Sequence, residues 1–264
     1  KDLARRNGGG GTVLAGVKEG DFTMIMGYPG RTTRFQTSPE LKFQIEQNDI
    51  RIAARTIRQN VLLEDMLADP KIKIQYASKY SSSSNGWKKW QGMKLAFEKL
   101  NIINRAQREE IDFREWVDED SRRKEKYGNA LKDIADAVKA GKEANNMSTK
   151  AYETVCRIEL TSFAVTLVST AKKNISEGAD TLDALMAAYE SIAPKYADYS
   201  APTDRKVAKA LMKHYSEIGE TEYAKALAEA DIDAIVDDIF DRSAFSSADA
   251  LKTAIEEKGM KIMD

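Results

Sequence analysis

Residues 38–70 read SPELKFQIEQNDIRIAARTIRQNVLLEDMLADP, and this stretch decides the fold. Ser38 suits a helix N-cap, where a hydroxyl accepts from the first free amides. Pro39 fits the first helical position, where its missing N–H would have had no partner. Glu40 sets a negative charge against the positive end of the helix dipole. Beyond this start, Leu41, Ile45 and Ile52 follow one apolar line, and Ile50, Ala54, Ile57 and Val61 follow its neighbour. That spacing predicts one long helix with a single buried stripe. Asp69-Pro70 ends it, because proline disfavours helical backbone in the residue before it.

On the N-terminal side the pattern changes. Phe22, Met24 and Met26 alternate with Thr23 and Ile25, which predicts a strand over 21–27, and Pro29-Gly30 gives a turn after it. Residues 1–20 are poor in core-forming side chains. The run Gly8–Gly11 is costly to order and reads as a flexible linker or an artificial join.

On the C-terminal side, a short helix is expected over 71–79. Ser81-Ser82-Ser83-Ser84-Asn85-Gly86 then interrupts it as a polar loop. Trp87, Trp90, Met93, Leu95 and Phe97 resume a helix toward Leu100. From about Asn104 a charged helix follows, with Phe113, Trp116 and Val117 as its seam. The seam fades at Asp120 and resumes at Tyr127, Leu131, Ile134 and Val138, with Gly141 as its end. Residues 148–172 are apolar nearly all round and predict a central helix buried by others. Shorter amphipathic helices are expected over 182–192, 206–215, 222–230, 234–240 and 247–258. The fold class is therefore mainly all-α: a helical bundle with one short N-terminal β-strand. It divides into a segment 1–20, a strand and turn 21–37, and a helical domain 38–264.

The chain of 264 residues is long enough for a sizeable core, with 42% hydrophobic and 31% charged residues. A formal net charge of -1, with no basic stripe, argues against a nucleic-acid binder. No apolar run is long enough for a membrane span, and the first residues lack a signal-peptide pattern. Cys156 is the sole cysteine, so no intrachain disulfide forms. With one cysteine and one histidine, a zinc site built from them is not expected, and no cofactor is implied.

Motifs for independent catalysis are weak. His214 sits on an ordinary amphipathic helix and reads as a surface or packing residue. Cys156 lies in the most apolar helix and reads as a buried structural thiol. Gly27-Tyr28-Pro29-Gly30-Arg31-Thr32 has a phosphate-loop look but lacks the Gly-Lys-Ser/Thr ending. No Gly-x-Ser-x-Gly elbow occurs. Asn85 has two readings. One is part of an interhelical loop; the other is a ligand-facing amide whose oxygen accepts from an ammonium group.

Several segments together resemble serine peptidase family forty-six. They are residues 16–32 around Gly27-Tyr28-Pro29-Gly30, Asn48-Asp49-Ile50-Arg51-Ile52, Met66-Leu67-Ala68-Asp69-Pro70, Tyr76-Ala77-Ser78-Lys79-Tyr80 and Ser83-Ser84-Asn85-Gly86-Trp87-Lys88-Lys89. This family comprises bacterial dipeptidyl peptidases in which a helical domain is inserted into a chymotrypsin-like double barrel. The resemblance covers the first hundred residues closely; the remaining helices agree in general character. It implies a cleft-covering domain that helps hold the terminal ammonium of a peptide substrate. Asn85 matches the asparagine involved, with Asn48 the second choice. It also implies adjoining protease barrels as partners, a periplasmic or cell-envelope location, and catalytic residues in sequence before and after this chain. No Gly-Asn-Ser-Gly-Ser motif is present, and Asp21 does not match the triad aspartate. The Gly8–Gly11 run departs from the family pattern. Strand edges without barrel partners also invite a homodimer contact. A second reading is an independent helical scaffold that binds proteins through its charged helix.

Overall fold

The structure is a computed structural model that describes residues 18–22, 24, 33 and 35–263. The chain falls into two units, Lys1–Gln36 and Thr37–Asp264. In the first, the Asp21 amide donates to the Lys18 carbonyl at 3.1 Å, and the Lys18 amide donates to the Asp21 carboxylate at 2.7 Å. Gly20 closes this turn at φ 92°, a conformation that suits glycine. The strand expected over 21–27 is not found among the described residues. Asp21, Phe22 and Met24 are exposed and unpaired in any strand, and the rest of that stretch lies outside them. Alternation alone does not make a strand; partner strands do. The Gly8–Gly11 run and Pro29-Gly30 also lie outside the described residues.

Every element of the second unit is helical. Helix α1 spans Ser38–Ala68 and α2 spans Pro70–Lys99. Helices α3, Ile102–Asp118, and α4, Ser121–Tyr127, lead to α5, Ala130–Glu153. Then come α6, Glu159–Ser176, α7, Thr181–Ile192, and α8, Ala201–Ile218. Helices α9, Glu222–Ala228, α10, Ile232–Arg242, and α11, Ala248–Lys258, complete the chain's helical order.

The long first helix starts one residue earlier than expected, with Thr37 as its N-cap. The Thr37 amide and hydroxyl both donate to the Glu40 carboxylate at 2.8 Å, while Glu110 from α3 takes the Ser38 amide. At the other end, Asp69 is extended at φ -135° and ψ 117°, as a residue before proline should be. Its carboxylate accepts from the Lys71 amide at 2.7 Å, so the residue that stops α1 also caps α2.

Side-chain pairs give the packing direction. Gln59 meets Ser83, Thr56 meets Trp87 and Asp49 meets Lys94, so α2 runs antiparallel to α1. Glu46 meets Lys142, Gln47 meets Asn146 and Arg55 meets Glu153, so α5 runs parallel to α1. Helix α1 is therefore flanked by both. Arg205 pairs with Asp241, Lys209 with Asp237 and Lys213 with Asp233, which sets α10 antiparallel to α8.

Two apolar cores result. Leu62, Met66, Tyr76, Leu160, Val207, Leu211, Val236 and Phe240 join α1, α2, α8 and α10. Phe163, Leu167, Leu185, Ala188, Ile192, Leu251 and Ile255 join α6, α7 and α11. Helix α6 contributes Leu160 to the first and Phe163 onward to the second, so it ties the two together.

Four further expectations are corrected. The polar loop over 81–86 does not exist: α2 is continuous from Pro70 to Lys99. The charged helix does not end at Gly141. It breaks instead at 119–120 and 128–129, then continues to Glu153. Asp120 makes the first break a new start by accepting from the amides of Arg122 and Arg123. The central helix over 148–172 is broken by Thr154, at φ -109° and ψ -90°, and a 3-10 turn over Val155–Arg157. Asp204, reaching from α8, accepts from the amides of Glu159 at 2.8 Å and Leu160 at 2.9 Å. A carboxylate from another helix thus creates the N-terminus of α6. Cys156, expected in a buried helix, sits exposed in that turn.

Candidate functional site

Four serines, an asparagine and a glycine are poor helix formers, because their side chains compete for backbone hydrogen bonds or fix too little of it. Their helical state in α2 comes from α1. Gln59 donates to the Ser83 hydroxyl at 3.2 Å, and Arg55 Nη1 donates to the Ser83 carbonyl at 3.2 Å. Trp87 donates its indole N–H to the Thr56 hydroxyl at 2.8 Å. The guanidinium of Arg55 lies 4.5 Å from the centre of the Trp90 ring, and that of Arg51 lies 5.5 Å away. Ser83, Gly86, Trp87 and Trp90 therefore form the inner face of this segment.

Asn85 falls on the opposite face and is exposed, with Ser78, Ser81, Ser82, Lys88 and Lys89. This outer face is polar: Ser81 and Ser82 lie one turn before Asn85, and Lys88 and Lys89 lie one turn after it. Asn48, the second choice, is in a different setting. It is 2% exposed on α1, its oxygen faces Arg51 Nη1 at 3.4 Å, and its Nδ2 finds no partner among the described residues. The two asparagines are not brought together at one surface.

Beneath the site lies a charged cluster that the sequence did not single out. Arg55 Nε and Nη2 donate to the two oxygens of Glu153 at 2.9 and 3.2 Å. Arg157 approaches the same carboxylate at 3.7 Å. Glu153 is the last residue of α5 and 3% exposed, so its charge is held by these two arginines with little help from water. In sequence, Arg55 and Glu153 look like ordinary surface residues of charged helices.

A second buried cluster adjoins the first. The Tyr76 hydroxyl accepts from the Ser200 amide at 3.2 Å and donates to the Ser200 carbonyl at 3.4 Å. Burial, reinforced by the charges of Glu159 and Asp204, pushes its ionisation well above the ordinary tyrosine range. Asp204 is pushed up to about 7 by burial and by the neighbouring charge of Glu159. Its two backbone donors and Arg58 oppose that rise. Burial lowers the Arg58 guanidinium from its ordinary value, with Glu159 and Asp204 working against the shift. Lys79 pairs with Glu159 and also donates to the Asp198 carbonyl.

His214 is largely buried on α8, with Nδ1 3.8 Å from Glu217 and Nε2 without a partner among the described residues. Among the described residues no group of three metal-ligating side chains converges, and no helix is long and apolar enough to cross a membrane.

Comparison with known proteins gives a consistent result. Residues 12–263 match the family Peptidase S46. The Asp/Glu-specific dipeptidyl-peptidase of Porphyromonas gingivalis is 33% identical over 249 residues, covering 89% of this chain and 34% of that protein. Dipeptidyl-peptidase 7 of Phocaeicola vulgatus is 31% identical over 270 residues, covering 95% of this chain and 36% of the relative. The crystal structure of Porphyromonas endodontalis DPP11 in complex with the dipeptide Arg-Glu superposes with a TM-score of 0.73 at 30% identity. That match covers 96% of this chain and 37% of the DPP11 chain. The chain thus spans about a third of the length of these relatives.

Proposed function

The chain belongs to the peptidase S46 family, and on that premise we propose that it forms the helical domain of a serine-type dipeptidyl aminopeptidase. In this reading it covers the active-site cleft and helps fix the free N-terminus of a peptide substrate. The catalytic groups come from protease barrels outside this chain, and the assembled enzyme works in the periplasm or cell envelope. Asn85 supplies one acceptor to the substrate's ammonium.

The observation that carries this reading is the placement of Asn85. Its amide is exposed on a polar face one turn beyond Ser81 and Ser82, while the inner face of the same helical turn is fastened to α1. A substrate ammonium has three donors and needs acceptors at fixed positions. An acceptor on a secured helix holds the scissile bond at a set distance from a nucleophile better than one on a loose loop. The chain's one histidine, His214, is packed within α8.

Turnover by the purified chain tests the assignment. Incubated with a panel of unblocked peptides, it should release no dipeptide. Reproducible release, abolished by a substitution within residues 37–263, would overturn the reading.

A further inference from the structure

Resting on the reading of Asn85, we propose that Arg55 is the positioning residue that holds the Asn85 turn of α2, and that Gly86 is glycine to admit its guanidinium. The composition of the segment supplies the need. Ser81–Gly86 disfavours helix on its own, so an external hold must keep Asn85 at one position.

The geometry supplies the hold. In a helix the Ser83 carbonyl already accepts from the amide four residues later, and its second lone pair takes Arg55 Nη1 at 3.2 Å. Two other nitrogens of the same guanidinium are committed to Glu153 at the end of α5. The Trp90 ring, one turn beyond Gly86, lies 4.5 Å from the guanidinium carbon. A Cβ on residue 86 would stand 2.6 Å from Nη1. Nη1 ends a long side chain, but its partners on three sides leave it little freedom to retreat. One planar cation therefore ties α1, α2 and α5 within two residues of Asn85. A lysine ammonium cannot make the fork, the carbonyl bond and the stack together.

The test is a double-mutant cycle in the full-length enzyme, read as kcat/KM on a peptide with a free N-terminus, with thermal melting to confirm folding. Arg55→Lys should lower kcat/KM about ten- to a hundredfold, as expected for a displaced acceptor. In an Asn85→Ala background the same change should cost no more than about twofold, because its effect runs through the missing amide. Gly86→Ala should show the same dependence on Asn85, even though alanine is the better helix former. A merely structural role predicts equal factors in both backgrounds. Equal factors would overturn the proposal, as would silent Arg55→Lys and Gly86→Ala variants beside an impaired Asn85→Ala. If Asn85→Ala itself is silent, the ammonium reading fails and this inference falls with it. If Arg55→Lys does not fold, the Gly86→Ala cycle decides by the same criteria.

Discussion

The guanidinium of Arg55 and the carboxylate of Glu153 meet through two hydrogen bonds, Nε at 2.9 Å and Nη2 at 3.2 Å, with the side chains only 15% and 3% exposed. The pair joins the middle of α1 to the C-terminus of α5. Two charges in so little water tolerate each other only as long as both are present. Glu153→Ala should therefore destabilise the chain by about 3–5 kcal/mol, since Arg55 keeps its desolvation cost without its partner. Replacing both, as Arg55→Met with Glu153→Leu, should cost less than the single change. Urea unfolding of the three proteins checks this, and a double variant less stable than Glu153→Ala would contradict it.

Asp204 gives a pH dependence of definite sign. Its carboxyl is raised from an ordinary value of 3.8 to about 7 in the folded chain, by burial first and the charge of Glu159 second. Folding therefore takes up a proton between roughly pH 4 and pH 7. The stability linked to that proton is fully present below about pH 4 and is lost as pH rises through about 7. Asp204→Asn, which does not titrate, should flatten the stability profile across that window. Denaturation midpoints at pH 5 and pH 8 supply the comparison; a wild-type slope no steeper than that of Asp204→Asn would contradict the assignment.

The core gives a contrast between two leucines. Leu211 on α8 is 0% exposed within the first core, whereas Leu67 near the end of α1 is 74% exposed. Leu211→Ala should cost about 2–5 kcal/mol, combining lost burial with the cavity left behind. Leu67→Ala should change stability by less than about 0.5 kcal/mol. Thermal or chemical unfolding distinguishes them, and similar losses at both positions would contradict the packing described.

Much of this architecture was legible in local sequence because it is set locally. Pro39, Glu40 and the Asp69-Pro70 pair fix the ends of α1 to within a residue, and the apolar spacing of residues 182–192 gives α7. The errors occur where distant residues decide. Ser81–Gly86 reads as a loop by composition, yet Arg55, Thr56 and Gln59 from the adjacent helix hold the segment in α2. Residues 148–172 read as one helix by hydrophobicity, yet Asp204, forty-five residues beyond Glu159, recruits that residue's amide to begin a new helix. Nothing near position 159 announces such a partner. The family resemblance points to Asn85, but composition puts that residue in a loop rather than on the exposed face of a continuous helix. Arg55 and Glu153 were missed because a charged residue on a charged helix carries no mark of burial.

The most direct test of the central claim is Asn85→Ala in the full-length enzyme, with kcat/KM compared on one peptide with a free N-terminus and on the same peptide acetylated. A hydrogen bond to a charged group contributes about 1.5–3 kcal/mol, so efficiency on the free peptide should fall about ten- to a hundredfold. The melting temperature should barely move, because the side chain is exposed and packs against no core. Any residual activity on the acetylated peptide, which offers no ammonium, should be unchanged. A folded Asn85→Ala enzyme with wild-type efficiency on the free peptide would contradict the account.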